Sequence, residues 1–161
     1  MNMENISTAL REEAISLGLC KKWTEEWQDN TGTDALIDKF KRGLDFCIKH
    51  DWPTTEAIKR MFPTLDLVRN GVYVDQRLDF IDGNELHHGT YVLMGKCTGT
   101  LRFAPWTAAT VYLRHDTHVS IEAGENAVIF VHLYDNSGLD GELPADAKVR
   151  VLDRRGRKRI L

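Results

Sequence analysis

Four short segments in the second half of the chain resemble one another. They are Gly89-Thr-Tyr-Val-Leu93, Ala109-Thr-Val-Tyr-Leu113, Ala127-Val-Ile-Phe-Val131 and Ala147-Lys-Val-Arg-Val151. Each begins with a small residue and sets bulky apolar side chains at its third and fifth positions, and the starts are 20, 18 and 20 residues apart. Self-similarity near a fixed period is the mark of stacked supersecondary units. Alternation of apolar and other residues marks each unit as a strand with one buried face. A weaker strand lies between successive members: Leu101-Arg-Phe103, Val119-Ser-Ile121, and Leu139 to Leu143. Residues rich in Gly, Asp, Asn and Pro fill the gaps and suit corners, because Asp, Asn and Gly tolerate left-handed backbone.

Two strands and two corners in about twenty residues predict a small β-solenoid, a single-chain β-helix, of about four coils over residues 71–161. An all-β sandwich or jelly roll uses the same alternation and is the alternative for this part of the chain. No six-residue repeat is present, so a hexapeptide helix is not expected.

Residues 1–70 read as helical, which makes the whole chain α+β with a small helical bundle before the solenoid. Ile6, Leu10, Ala14 and Leu17 form one apolar stripe, with Asn5 or Ser7 as cap and Gly18 as stop. Trp23 and Trp27 stand one turn apart and are expected to pack on a neighbouring helix. After a loop at Asp29-Asn-Thr-Gly-Thr33, one helix is predicted from about Asp34 to Lys49, weakened at Gly43. A short helix capped by Thr54 or Thr55 should end at Pro63, giving three or four helices in all. Their expected role is to cover one end of the solenoid, whose terminal strands otherwise expose unpaired edges. Val72-Tyr-Val74 and Leu78-Asp-Phe80, with a turn at Asp82-Gly83, should begin the first, irregular coil.

Net charge is −3, but it is unevenly spread. Residues 71–146 carry 4 basic and 11 acidic side chains, whereas residues 147–161 carry 7 and 1. The basic tail residues Arg154, Arg155, Arg157, Lys158 and Arg159 are candidates for contact with a phosphate backbone or an acidic partner. A solvated end that discourages sheet stacking is the other reading. No apolar run approaches the ~20 residues of a membrane span. The first residues lack a secretory pattern, and three cysteines without CxxC spacing suit a reducing compartment. A cytoplasmic protein without membrane association is therefore expected.

Stacking the coils places the first corners in a column: Lys96 and Cys97, His115 and Asp116, Tyr134 and Asp135, Asp153 and Arg154. At ~4.8 Å between coils, His115, Asp116, His118 and Asp135 are candidate metal ligands. Acid pairs such as Asp116 with Asp135, or Glu122 with Glu142, suit saccharide chemistry. No HExxH, GxSxG, Walker A or GxGxxG pattern supports a catalytic reading, and no cofactor is implied. Trp106, after Pro105, falls at a corner where its ring is expected to be exposed.

The stretches Gly18-Leu-Cys-Lys-Lys-Trp23, Arg42-Gly-Leu-Asp-Phe-Cys-Ile-Lys-His-Asp-Trp-Pro53, Tyr73-Val-Asp75, Gly95-Lys-Cys-Thr-Gly99, Arg114-His-Asp116 and Tyr134-Asp-Asn136 resemble an uncharacterised family of short proteins from gut bacteria, their phages and mobile elements. The resemblance implies a small accessory protein and carries no catalytic residues. The sequence thus points to a non-enzymatic interaction or assembly module that meets a protein partner or itself. A small carbohydrate-active or metal-dependent enzyme, and nucleic-acid binding through the tail, are the rivals.

Overall fold

The computed structural model describes residues 3–27, 32–78 and 85–156. They form two compact units that divide between Asn70 and Gly71. The first is helical and the second is a parallel β-solenoid of about four turns. Asp79 and Phe80 of the expected strand Leu78-Asp-Phe80, the Asp82-Gly83 turn and part of the Asp29-to-Thr33 loop lie outside the described residues, as do Arg157, Lys158 and Arg159; Leu78 itself is buried.

Six helices are described in the first unit, more than the three or four expected: α1 (Met3–Ser16), α2 (Lys21–Glu26), α3 (Thr33–Arg42), α4 (Leu44–His50), α5 (Thr55–Met61) and α6 (Thr64–Arg69). Ile6, Leu10 and Ala14 are buried along one stripe of α1. The helix starts before the expected caps, so Ser7 lies inside it. Its hydroxyl instead accepts from Trp27 Nε1 at 3.0 Å, a bond that satisfies the buried Ser7 side chain. Gly18, at φ +99°, follows the last turn, where Leu19 N–H closes back on Ala14 O at 3.0 Å.

The single helix expected from Asp34 to Lys49 is two. Gly43 sits at φ −97°, ψ 25°, outside helical geometry, and separates α3 from α4. Thr54 caps α5 by accepting from Ala57 N–H at 3.1 Å. Pro63 does end that helix, but the chain turns directly into α6, with Pro63 in the position before its first residue. Leu36, Ile37, Leu44, Cys47, Ile48, Ile58, Phe62 and Leu67 are buried, and each large aliphatic removed from water contributes ~1.5–3 kcal/mol. Trp23 and Trp27 meet α3 through its cations. Lys39 Nζ lies 5.8 Å and 5.4 Å from the two ring centroids, and the Arg42 guanidinium lies 5.6 Å from Trp23. Burial holds the Lys39 ammonium below its usual pKa.

The second unit contains β1 (Val72–Val74), β2 (Gly89–Met94), β3 (Thr98–Phe103), β4 (Ala108–Leu113), β5 (His118–Ala123), β6 (Val128–Leu133), β7 (Gly138–Leu139) and β8 (Lys148–Asp153). They form two sheets, ordered β1-β2-β4-β6-β8 and β3-β5-β7. Every pairing is parallel. A sandwich or jelly roll would pair neighbouring strands antiparallel, so that alternative is excluded.

Register corrects one detail of the repeat. Ala109 pairs with Ile129, not with Ala127, and Gly89↔Ala109 and Ile129↔Val149 complete the column. The period is therefore 20 residues at every step from β2 to β8. The apparent step of 18 came from matching small residues that occupy different positions: Ala109 lies in a strand and Ala127 in a corner. A shift of two leaves side chains on the same face, so the inward residues were identified correctly despite the wrong register. Leu93, Leu113 and Leu133 stack inward in one column and Val111 and Val131 in the next, all buried. Leu101, Phe103, Val119 and Ile121 are buried on the other sheet. The first coil is irregular: Val72 pairs with Val92, but the bridges Arg77↔Thr98 and Leu86↔Phe103 leave the period of 20.

Candidate functional site

The corners hold the residues singled out from the sequence, and their geometry follows from one requirement. A chain that turns between two sheets in four residues needs one position with left-handed backbone. At the first corner that position is Asp75 (φ 54°), Gly95 (φ 74°), His115 (φ 58°) and Asp135 (φ 56°). At the second it is Trp106 (φ 62°) and Asn126 (φ 60°).

Exact stacking brings residues 20 apart into hydrogen-bond range across the first corner. His115 Nδ1 accepts from Gly95 N–H at 2.9 Å, and Asp135 Oδ2 accepts from His115 N–H at 3.0 Å. Asp75 Oδ1 accepts from Lys96 N–H at 2.8 Å. Each of these side chains caps a backbone amide of an adjoining coil, a local use of Asp and His oxygen and nitrogen that stabilises turns. Asp116 stands one column over. It accepts from Asn136 Nδ2 at 2.9 Å and lies 3.5 Å from His118 Nε2. The expected column is thus split. Cys97 stacks with Thr117 and Ser137 rather than with His115, and Asp116 and Asp135 are not opposed carboxylates. Of the other acid pair, Glu122 binds Arg102 at 3.0 Å. Among the described residues no three His, Cys, Asp or Glu side chains converge on a point that would hold a metal ion.

A second column was not anticipated. Thr117 Oγ1 donates to Gly95 O at 3.3 Å and accepts from Cys97 N–H at 3.4 Å. Ser137 Oγ donates to Leu113 O at 3.0 Å and accepts from Tyr134 N–H at 3.1 Å. All three residues of the column are buried. Their spacing of 20 with small polar character was visible in the sequence, but buried corner amides are needed to give it meaning. Burial pushes the Cys97 thiol pKa up and the Tyr73 phenol up to about 12, so both are neutral core groups rather than nucleophiles. Arg114 is wholly buried at the start of its corner.

The basic residues that are described are held in place. Arg154 Nε donates to His132 Nδ1 at 3.4 Å, and His132 stacks on Tyr112 with centroids 4.6 Å apart. Arg155 forms a 2.7 Å ion pair with Asp153 and donates to Ser137 O at 3.2 Å.

Trp106 differs from every other non-glycine corner residue. Asp75, Asn126 and Asp135 are small and polar, and His115 is engaged in a cap; left-handed backbone suits such types. Trp106 is a large ring in the same strained conformation, 70% exposed. Its backbone N–H donates to Glu125 O at 3.0 Å, which fixes the corner beneath it. Pro105 packs against the same adjoining corner, where Gly124 leaves no room for a side chain: a Cβ there would stand 2.5 Å from Pro105 Cγ. The ring is therefore carried outward on a rigid support.

These features define the class: a two-sheet parallel β-solenoid preceded by a helical unit, with amide-capped corners and one projecting tryptophan. No family model, no curated protein and no solved structure matches the chain.

Proposed function

We propose that this protein is a non-enzymatic interaction module and that Trp106 is the anchor of its binding surface. The observation that carries this reading is a bulky exposed ring held at φ 62°, where an L residue costs roughly 1–2 kcal/mol of backbone strain. Such strain persists where function requires the side chain, and tryptophan is the residue type most enriched at interface hot spots. A rigid ring also loses little conformational entropy when a partner covers it. The partner is a protein or a second copy of the chain. An accessory role in a mobile element rests on the sequence resemblance alone. The enzyme reading has less support because His115, Asp116 and Asp135 are engaged in capping backbone or side-chain amides.

The test compares wild type with Trp106→Gly. Glycine relieves the left-handed strain, so the variant should melt higher, by about 1 kcal/mol of stability. The same variant should weaken association with the co-purifying partner, or self-association by light scattering, by at least about tenfold. A stability gain with a binding loss is the signature of a residue kept for function. Unchanged association in a variant of normal or raised stability would remove Trp106 from the interface.

A further inference from the structure

The edge of β8 that faces away from β6 carries a second surface, independent of Trp106. In the parallel ladder, even-numbered residues of this sheet direct their N–H groups to the preceding coil: Tyr134 to Leu113 O, Lys148 to Ala127 O and Arg154 to Leu133 O. By the alternation of a parallel strand, Val149, Val151 and Asp153 direct their backbone N–H and C=O groups the other way, along the outer edge. Among the described residues, β6 is the only strand that pairs with β8.

Side chains at this edge have two faces. Val149 and Val151 continue the inward columns of Ile129 and Val131. Val131 is wholly buried, whereas Val151 is 37% exposed, so the apolar column runs out to the surface. β7, on the opposite sheet, has only two residues, and nearby Leu143 is 47% exposed. On the outer face stand Lys148 and Arg150, both exposed, with Arg154 beyond them.

We propose that the outer edge of β8 is a docking site for an extended polypeptide strand that alternates apolar and acidic residues. Backbone pairing with Val149 and Val151 supplies affinity, as in other cases of strand addition. The apolar residues of the incoming strand would cover Val149 and Val151 and extend the core by one layer. Its acidic residues would fall beside Lys148 and Arg150. The same charges select against a second copy docking edge to edge, since its strand would bring Lys148 and Arg150 against their own kind.

Fluorescence anisotropy tests this with a labelled, blocked peptide of alternating Glu and Val, nine residues long. Saturable one-to-one binding is expected, weaker by at least about tenfold when Lys replaces every Glu. Val151→Pro should abolish it, because proline removes an edge donor without touching the bonds to β6. Lys148→Glu combined with Arg150→Glu, which leaves the edge backbone intact, should reverse the preference toward the Lys peptide and serves if the proline variant melts early. Trp106→Gly should leave this binding unchanged. Four results would overturn the proposal: no binding, equal binding of the two peptides, binding retained by a folded Val151→Pro protein, or loss of binding in Trp106→Gly. A dimer that Val151→Pro dissolves would assign the edge to a second copy instead. Tight binding of oligodeoxythymidine that displaces the peptide and survives Val151→Pro would assign the basic face to nucleic acid.

Discussion

His115 shows how a residue that reads as a ligand serves as structure. Two demands meet at this position: the backbone must adopt φ 58°, and the Gly95 amide needs an acceptor. A carboxamide meets both, since asparagine tolerates left-handed geometry and its oxygen accepts a hydrogen bond. Asn126 occupies the left-handed position of the other corner. His115→Asn is therefore expected to stay within about 0.5 kcal/mol of wild type in urea unfolding, while His115→Ala loses the acceptor and costs about 1–2 kcal/mol. Both values should be the same in EDTA. If asparagine were as damaging as alanine, or if chelation changed the ranking, the imidazole would have a duty other than capping. Trp106 is the counterpart. Its exposure was legible from Pro105 and the corner, but its positive φ was not, because nothing in a tryptophan announces left-handed backbone.

At the scale of the element, legibility followed the strength of the period. Strand faces were readable because alternation has a period of two, and the two-residue misalignment of Ala127 did not disturb it. Register was not readable, since the small residues chosen as markers, Ala109 and Ala127, lie in a strand and a corner. The helices show the same division. The buried stripe of α3 and α4 was visible, but it continues in phase across Gly43, so the break between them was hidden. α6 was missed because Pro63 reads equally well as the end of one helix and the start of another. Corners were recognised as turns without the reason each residue is there. Gly124 is an example: its role is not positive φ but close approach, with Pro105 N 2.6 Å and Cγ 2.5 Å from where a Cβ would stand. Gly124→Ala must push two adjoining coils apart at backbone atoms that cannot yield by rotation. We expect a loss of about 1–3 kcal/mol, read as a lower melting temperature, with far-UV circular dichroism unchanged. A variant that melts like wild type would show that the coils are less tightly stacked at this corner.

At the scale of the whole solenoid, stacking is one-dimensional. Each coil touches only the one before and the one after, so the unit of insertion or deletion is the coil. From β2 to β8 that unit is 20 residues, a claim that deletion can test directly. Removing residues 108–127 joins Thr107 to Val128. In the present structure Val128 N–H already bonds to Thr107 O, at 2.8 Å. After the deletion Leu133 would stack on Leu93, Val131 on Tyr91 and Asp135 on Gly95, so every inward column and every left-handed corner would keep a suitable residue. Removing residues 110–127 follows the apparent step of 18 instead. It preserves the inward and outward faces, because 18 is even, but it carries His132 and Leu133 into the corner where Arg114 and His115 now sit. A branched apolar residue would then occupy the left-handed position, and two surplus residues would separate the sheets. The 20-residue deletion should give a protein with parallel-sheet circular dichroism and a cooperative melt at lower temperature, having lost one layer of core and the buried Arg114. The 18-residue deletion should lose the cooperative transition of the solenoid. Equal behaviour of the two would mean that apolar alternation alone holds the coils together. The expected difference would assign that role to the corners, where the amide caps and the buried Cys97–Thr117–Ser137 column fix one coil on the next.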